Sequence, residues 1–328
     1  MKIFIYAMRE FDELSIAQRL KKEYDIDFGW TSEYPVLDNA DLARGYDAVS
    51  TTPCELGADL LEKFYSEGVK YITTRSIGYD HIDMKKAAEL GMRVSHTKYG
   101  PDGVSNYTVM LMLMSLRKMN FILRASELQD YTLQNKMGRD LSSCTVGVIG
   151  TGRIGANVIK NLSGFGCRIL AYDLYEKPEL KCEYVPLEEL YKQADIITLH
   201  TPATKDSIHM INRQSMAKMK KGVIIINCAR GSLIDTEALI EGLENGFIGG
   251  AALDVLEKED GLYYYNRMND VINNRTMAIL RSFPNVILSP HTAFYTDSDT
   301  EDMLRYNFDS LYRFETGKEN ELEVKFRK

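Results

Sequence analysis

The stretch Thr145-Val146-Gly147-Val148-Ile149-Gly150-Thr151-Gly152-Arg153-Ile154-Gly155 decides the fold. A short strand-like run enters Gly-x-Gly-x-x-Gly, and the chain then takes up helical spacing. A second apolar run, Arg168–Tyr172, ends at Asp173, 18 residues beyond Gly155. Strand, glycine turn, helix, strand and acid in that order form a dinucleotide-binding arrangement. Gly150 permits the tight turn, Gly152 lets backbone approach a pyrophosphate, and Gly155 lets helix and strand pack closely. The helix start, with Arg153 and Ile154, offers unpaired N–H groups and a positive dipole end to the phosphates. Asp173 can accept hydrogen bonds from both ribose hydroxyls and repels a 2′-phosphate, which favours NAD over NADP.

Outward from this motif, short apolar runs alternate with helical segments. On the C-terminal side the expected strands are Asp195–Leu199, Val223–Asn227, Gly250–Leu253 and Val286–Leu288. On the N-terminal side they are Lys2–Ala7, Ala48–Ser50, Tyr71–Thr74 and Arg93–Ser95, with helical spacing over Glu10–Tyr24, Ala58–Glu67 and Met84–Leu90. Such alternation implies parallel sheets covered on both faces, and the run Val223-Ile224-Ile225-Ile226 fits a strand buried on both sides. Two series predict two α/β domains, with a seam near the breaker-rich Tyr99-Gly100-Pro101-Asp102-Gly103. Val104–Asn120 is apolar on most faces, as in a helix packed between domains or subunits. Thr300–Glu315 has helical spacing and is placed back on the first domain.

The 328 residues, 45% hydrophobic and 27% charged, fit an ordinary globular chain of about two domains and exclude a disordered or collagen-like one. The net charge of −7 argues against nucleic acid or an anionic membrane as partner. Five scattered cysteines without C-x-x-C fit neither a disulfide framework nor a metal site, and suggest free thiols in a reducing compartment. The longest apolar stretch, Val109–Leu116, is too short to span a bilayer. A soluble, cytoplasmic protein is expected.

Three charged or titratable residues stand by strand ends or in loops after the fingerprint: Arg230, Glu259 and His291. Ligands of open α/β sheets bind beyond the carboxyl ends of strands. Each residue also has an ordinary reading, as a helix cap, a solvated acid or a satisfied loop histidine. His81, His96, His200 and His209 compete for a catalytic role, and spacing does not choose among them.

The chain resembles the D-2-hydroxyacid dehydrogenases, and within them the D-lactate dehydrogenase branch that includes the pyruvate reductases of vancomycin-resistance operons. The resemblance covers nearly the whole chain. It is carried by Arg75-Ser76-Ile77-Gly78-Tyr79-Asp80-His81-Ile82-Asp83, Tyr99-Gly100-Pro101, the glycine motif and Asp195–Pro202. Asn227-Cys228-Ala229-Arg230-Gly231, Gly250–Glu257 and Pro290-His291-Thr292-Ala293-Phe294-Tyr295-Thr296 complete it.

The resemblance implies two doubly wound parallel-sheet domains: a Rossmann NAD-binding domain (100–298) inserted into a flavodoxin-like substrate domain (1–99 and 299–328). It implies that Arg230 holds the substrate carboxylate, that His291 gives a proton to the carbonyl as hydride arrives, and that Glu259 pairs with His291 and orients it. Backbone N–H groups of Ile77 and Gly78 would meet the carboxylate, and Tyr99 and Tyr295 would line the substrate site. His200, Pro202, Cys228 and Ala229 would line the cofactor cleft, and Asp254 would lie near the nicotinamide and couple pH to cofactor binding. A homodimer is implied, with the Val104–Asn120 helix at its interface. Pyruvate is the first expected substrate, in a reaction that would regenerate NAD in fermentation. Ser50-Thr51-Thr52-Pro53-Cys54 and the aromatic Tyr263-Tyr264-Tyr265 depart from lactate-specific relatives, so D-2-hydroxyisocaproate or phenyllactate dehydrogenase activity is the alternative. An NAD-sensing corepressor is the reading from another class. Formate or phosphoglycerate oxidation is set aside, on Glu259 and on the absence of a regulatory domain.

Overall fold

Thirteen strands form two sheets among the described residues of the computed structural model, 1–259 and 261–326. Asp260 and the last two residues of the expected C-terminal tail lie outside the described residues. The chain divides into two units, Met1–Gly100 with Tyr295–Lys328, and the continuous Pro101–Phe294.

In the first unit, β1 (Lys2–Ile5), β2 (Asp27–Trp30), β3 (Ala48–Thr51), β4 (Tyr71–Thr74) and β5 (Arg93–Ser95) pair in parallel. The order continues past β5 to a late strand, Glu323–Val324, which runs antiparallel to it. Successive residues of β1 point to opposite faces. Ile3 and Ile5 meet Leu20 and the helix Asp297–Thr316 through Leu304, Phe308 and Leu311. Phe4, with Tyr6 just beyond the strand, faces the other way, into a cluster with Val49, Leu61 and Phe64.

In the second unit, β6 (Thr145–Ile149), β7 (Arg168–Tyr172), β8 (Glu183–Tyr184), β9 (Ile196–Leu199), β10 (Val223–Asn227), β11 (Ile248–Leu253) and β12 (Val286–Leu288) are all parallel. Their order is β12-β11-β10-β9-β6-β7-β8. The chain winds from β6 toward β8, then returns to add β9 to β12 on the other side. The reversal leaves a crevice beyond the strand ends at β6 and β9, where such sheets bind ligands. Both faces are filled: Ile225, Ile197 and Ile149 on one, Ile224, Ile226, Val146 and Val148 on the other.

The helical spacing over Val104–Asn120 corresponds to two helices, Asp102–Leu116 and Met119–Glu127, parted at Lys118, whose φ of 52° is left-handed. One face of the first helix packs on the sheet through Leu111, Met112 and Leu116. The other lines an apolar surface groove with Val109, Met110, Leu113, Met114 and Met119. No helix among the described residues is long and apolar enough to cross a membrane.

Candidate active site

The glycine loop leaves β6 through Gly150, at φ +92°, where a Cβ would lie 2.6 Å from the His200 carbonyl oxygen. At Gly155 a Cβ would come within 1.9 Å of the Gly150 oxygen, so only glycine lets this helix meet this turn. A Cβ on Gly152 would meet open space instead. No side chain caps the helix Arg153–Leu162, whose first turn therefore presents backbone N–H groups to a ligand. Arg153 is exposed, and Ile154 packs partly into the core.

Asp173 follows β7 directly. Its Oδ2 accepts from Thr151 N (2.5 Å) and Thr151 Oγ1 (3.1 Å), and its Oδ1 from Tyr175 N (2.9 Å). Burial opposes its charge, but the donors at Tyr175, Thr151 and Leu174 outweigh burial and hold the carboxyl below its usual range. An open glycine, an uncapped helix start and an ionised acid beside the loop fit a dinucleotide.

Along the crevice, His200 continues the β6–β9 pairing through its N–H to Ile149 O, and its Nε2 lies 3.0 Å from Thr198 Oγ1. Burial pushes its pKa down to about 4, so the ring is neutral at ordinary pH. Pro202 O accepts from Ser207 Oγ (2.7 Å). Burial, then the charge of Asp254, push the Cys228 thiol up, which keeps it protonated. Asn227, fully buried at the end of β10, accepts from Ala229 N (3.0 Å) and donates to Arg230 O (2.8 Å). It thereby fixes the turn that presents Arg230. Sequence reasoning did not single Asn227 out, although a polar residue closing the apolar strand Val223–Ile226 was a usable signal.

Beyond β12 stands His291. Its Nδ1 is 2.6 Å from Glu259 Oε1, and Glu259 Oε2 accepts from Leu256 N (2.8 Å). With the carboxylate accepting at Nδ1, Nε2 is left as the nitrogen that gives or takes a proton. His291 has a φ of 54°. A left-handed conformation costs a side-chain-bearing residue about 1–2 kcal/mol. Asp254, 0% exposed, offsets that cost by organising the turn. Its Oδ1 accepts from Ser289 Oγ (2.6 Å) and Thr292 N (3.0 Å), its Oδ2 from Ala293 N (2.8 Å), and its carbonyl from His291 N (2.8 Å). A buried carboxylate given three donors is a rigid anchor.

The remaining expected residues belong to the first unit. Ile77 and Gly78 lie on the loop after β4, pinned by Ser76 Oγ donating to Gly78 O (2.6 Å) and by Thr97 N donating to Ser76 O (3.0 Å). Beneath it the fully buried Arg75 donates to Glu13, Ser50, Tyr6 O and Ala7 O. Tyr99 is half-buried. Tyr295 donates to Asp12 Oδ2 (2.6 Å), and the Arg9 guanidinium lies 5.3 Å from its ring centre. Within the second unit the structure brings together Glu259, His291 and Asp254, while Gly231, next to Arg230, packs on the Leu256–Glu257 backbone.

Comparison with known proteins shows what the chain is similar to. Residues 109–293 match the family model described as D-isomer specific 2-hydroxyacid dehydrogenase, NAD binding domain. An aromatic 2-oxoacid reductase of Clostridium sporogenes is 44% identical, the match covering 96% of each chain. A D-lactate dehydrogenase of Lactiplantibacillus plantarum is 37% identical over 99% of this chain and 100% of its own. A solved structure of D-2-hydroxyisocaproate dehydrogenase superposes with a TM-score of 0.88 at 32% identity, covering 99% of this chain and 100% of that one.

Proposed function

From the premise that the chain belongs to the D-isomer specific 2-hydroxyacid dehydrogenase family and is an NAD-dependent dehydrogenase, we propose that it reduces 2-oxo acids with bulky, aromatic side chains to D-2-hydroxy acids. The observation that carries the chemistry is the 2.6 Å pairing of His291 Nδ1 with Glu259 on a turn anchored by Asp254. Bound NADH supplies the hydride. Arg230 grips the substrate carboxylate, for which a planar guanidinium fork is the matching shape. His291 Nε2 gives its proton to the carbonyl oxygen, and Glu259 steadies the imidazolium before that transfer. By resemblance, the N–H groups of Ile77 and Gly78 and the side chains of Tyr99 and Tyr295 are the first unit's own candidates for meeting substrate.

The preference for bulk rests on the short side chains at the end of β3 and just beyond it, Thr51-Thr52-Pro53-Cys54, and on the similarity to an aromatic 2-oxoacid reductase. The apolar groove on the helix Asp102–Leu116 is the face on which two copies join as a cytoplasmic homodimer.

The test follows NADH oxidation with phenylpyruvate, 4-methyl-2-oxopentanoate and pyruvate in parallel. A higher kcat/KM for phenylpyruvate than for pyruvate supports the reading. The reverse order makes the enzyme a D-lactate dehydrogenase. His291→Gln should lose most turnover yet still bind NADH, and undiminished turnover would remove His291 from the mechanism.

A further inference from the structure

We propose that Tyr264 is a positioning residue for the proton donor, its hydroxyl clamping the left-handed main chain of His291. The proposal rests on the reading of His291 as that donor. The two peptide groups flanking the His291 Cα carry four tethers. On the N-terminal side, His291 N donates to Asp254 O (2.8 Å) and Ser289 O (3.0 Å). On the C-terminal side, Thr292 N donates to Asp254 Oδ1 (3.0 Å), and the His291 carbonyl accepts from Tyr264 Oη (3.0 Å). Three tethers come from the ends of adjacent strands. The fourth comes from a different place, the excursion between Glu259 and the helix Arg275–Ser282.

That excursion bends to deliver the hydroxyl. Tyr264 has a φ of 69°, a second left-handed residue facing the first. Its ring centre lies 6.1 Å from that of the imidazole, with the planes 34° apart, while Phe294 meets the imidazole edge-on at 6.2 Å. The neighbouring tyrosines do other things. Tyr263 is buried in the second unit's core, and Tyr265 lies under the Arg267 guanidinium.

The mechanical consequence follows from where the imidazole is held. Nδ1 is fixed by Glu259. If the His291–Thr292 peptide loses its carbonyl tether, it keeps only the N–H bond to Asp254 and can pivot. The ring then swings about the Nδ1 anchor, and the atom that moves most is Nε2, which carries the proton. Substrate binding through Arg230 is untouched. The expected signature is therefore a loss in the proton-transfer step without a loss in affinity.

Tyr264→Phe removes the hydroxyl alone from a half-exposed ring. Single-turnover NADH oxidation with phenylpyruvate should slow about fivefold, the worth of one hydrogen bond realised as position. The solvent deuterium isotope effect on that step should rise, while phenylpyruvate KM, NADH affinity and melting temperature stay at wild-type values. The isotope effect is a ratio, so the amount of folded enzyme does not influence it. Wild-type rate and isotope effect in Tyr264→Phe would overturn the clamp, as would a slowing accompanied by equal loss of substrate affinity. His291→Gln run alongside separates the two readings. If it is inactive while Tyr264→Phe is unimpaired, only the clamp fails. If it retains turnover, the proton-donor assignment fails and the clamp with it.

Discussion

Gly231→Ala is the sharpest perturbation of the site that removes no reacting group. Gly231 does not have a left-handed φ, so alanine is acceptable to its backbone, and only space is at issue. The added Cβ would sit 2.1 Å from the Leu256 carbonyl carbon, 2.2 Å from its oxygen and 2.5 Å from Glu257 N. Ordinary contact begins near 3.4 Å, so the Arg230 turn and the Leu256–Glu257 backbone must part by about 1.3 Å. No flexible side chain can absorb that shift. Leu256 N donates to Glu259 Oε2, so displacement of Leu256 passes directly to the carboxylate that holds His291. Misplacement of about 1 Å costs on the order of 10²-fold in rate. Overpacking costs about 1–3 kcal/mol of stability, at about 2–4 °C of melting temperature per kcal/mol. Steady-state assays with NADH and phenylpyruvate should thus show kcat/KM down about 100-fold, with NADH binding little changed in a fluorescence titration. A variant with wild-type kcat/KM would refute the reasoning, because it would show that the two backbones separate without moving the Glu259–His291 pair.

Three further outcomes can be checked. Asp173→Ser should raise kcat/KM with NADPH relative to NADH by more than about tenfold, as a half-buried negative charge that would repel the 2′-phosphate is removed; because Asp173 titrates below the usual carboxylate range, wild-type discrimination should hold at every pH above about 5. His200 titrates at about 4 when folded against about 6.5 when unfolded, so the unfolded chain takes up the proton first, and stability is intact above about pH 6.5 and declines toward pH 4. The full gap is worth roughly 3 kcal/mol, less what water reaching the half-buried ring screens; thermal melts of His200→Asn should fall less steeply across that window, and parallel slopes would rule the effect out. Met114→Glu places a charge in the apolar groove proposed as the face between two copies; sedimentation should give a dimer for the chain and a monomer for the variant, and a dimer for both would remove that groove as the joining face.

The glycine motif, the apolar strands and the acid after β7 were legible because each obeys a local rule of turn sterics, face alternation or spacing. β8 and β13 (Glu323–Val324) were not, since two half-exposed residues carry no period and pair only because a neighbour offers an edge. The break at Lys118 was also hidden: its left-handed φ is unusual for lysine, and the apolar run gives no sign of it. For the site, spacing narrowed the chemistry to strand ends but left five histidines in contention. Resemblance, rather than spacing, singled out His291 and Glu259. Asn227 stood out only within a motif and Tyr264 only as one of an aromatic run; the turn bond from Asn227 to Arg230 O is local, whereas the bond from Tyr264 to His291 O spans 27 residues and no local pattern announces it.

The split of the first unit around the second sets an order of events during synthesis. Ile3, Ile5 and Leu20 are covered by Leu304, Phe308 and Leu311. The covering helix leaves the ribosome only after the whole of Pro101–Phe294. At about 5–20 residues per second, that interval is roughly 10–40 s. During it the inserted unit has all its strands and can close its sheet, while the earlier-made strands wait with one apolar face and one sheet edge open. The nascent chain therefore matures from the middle outward, and its exposed first hundred residues are the natural target for a holding chaperone.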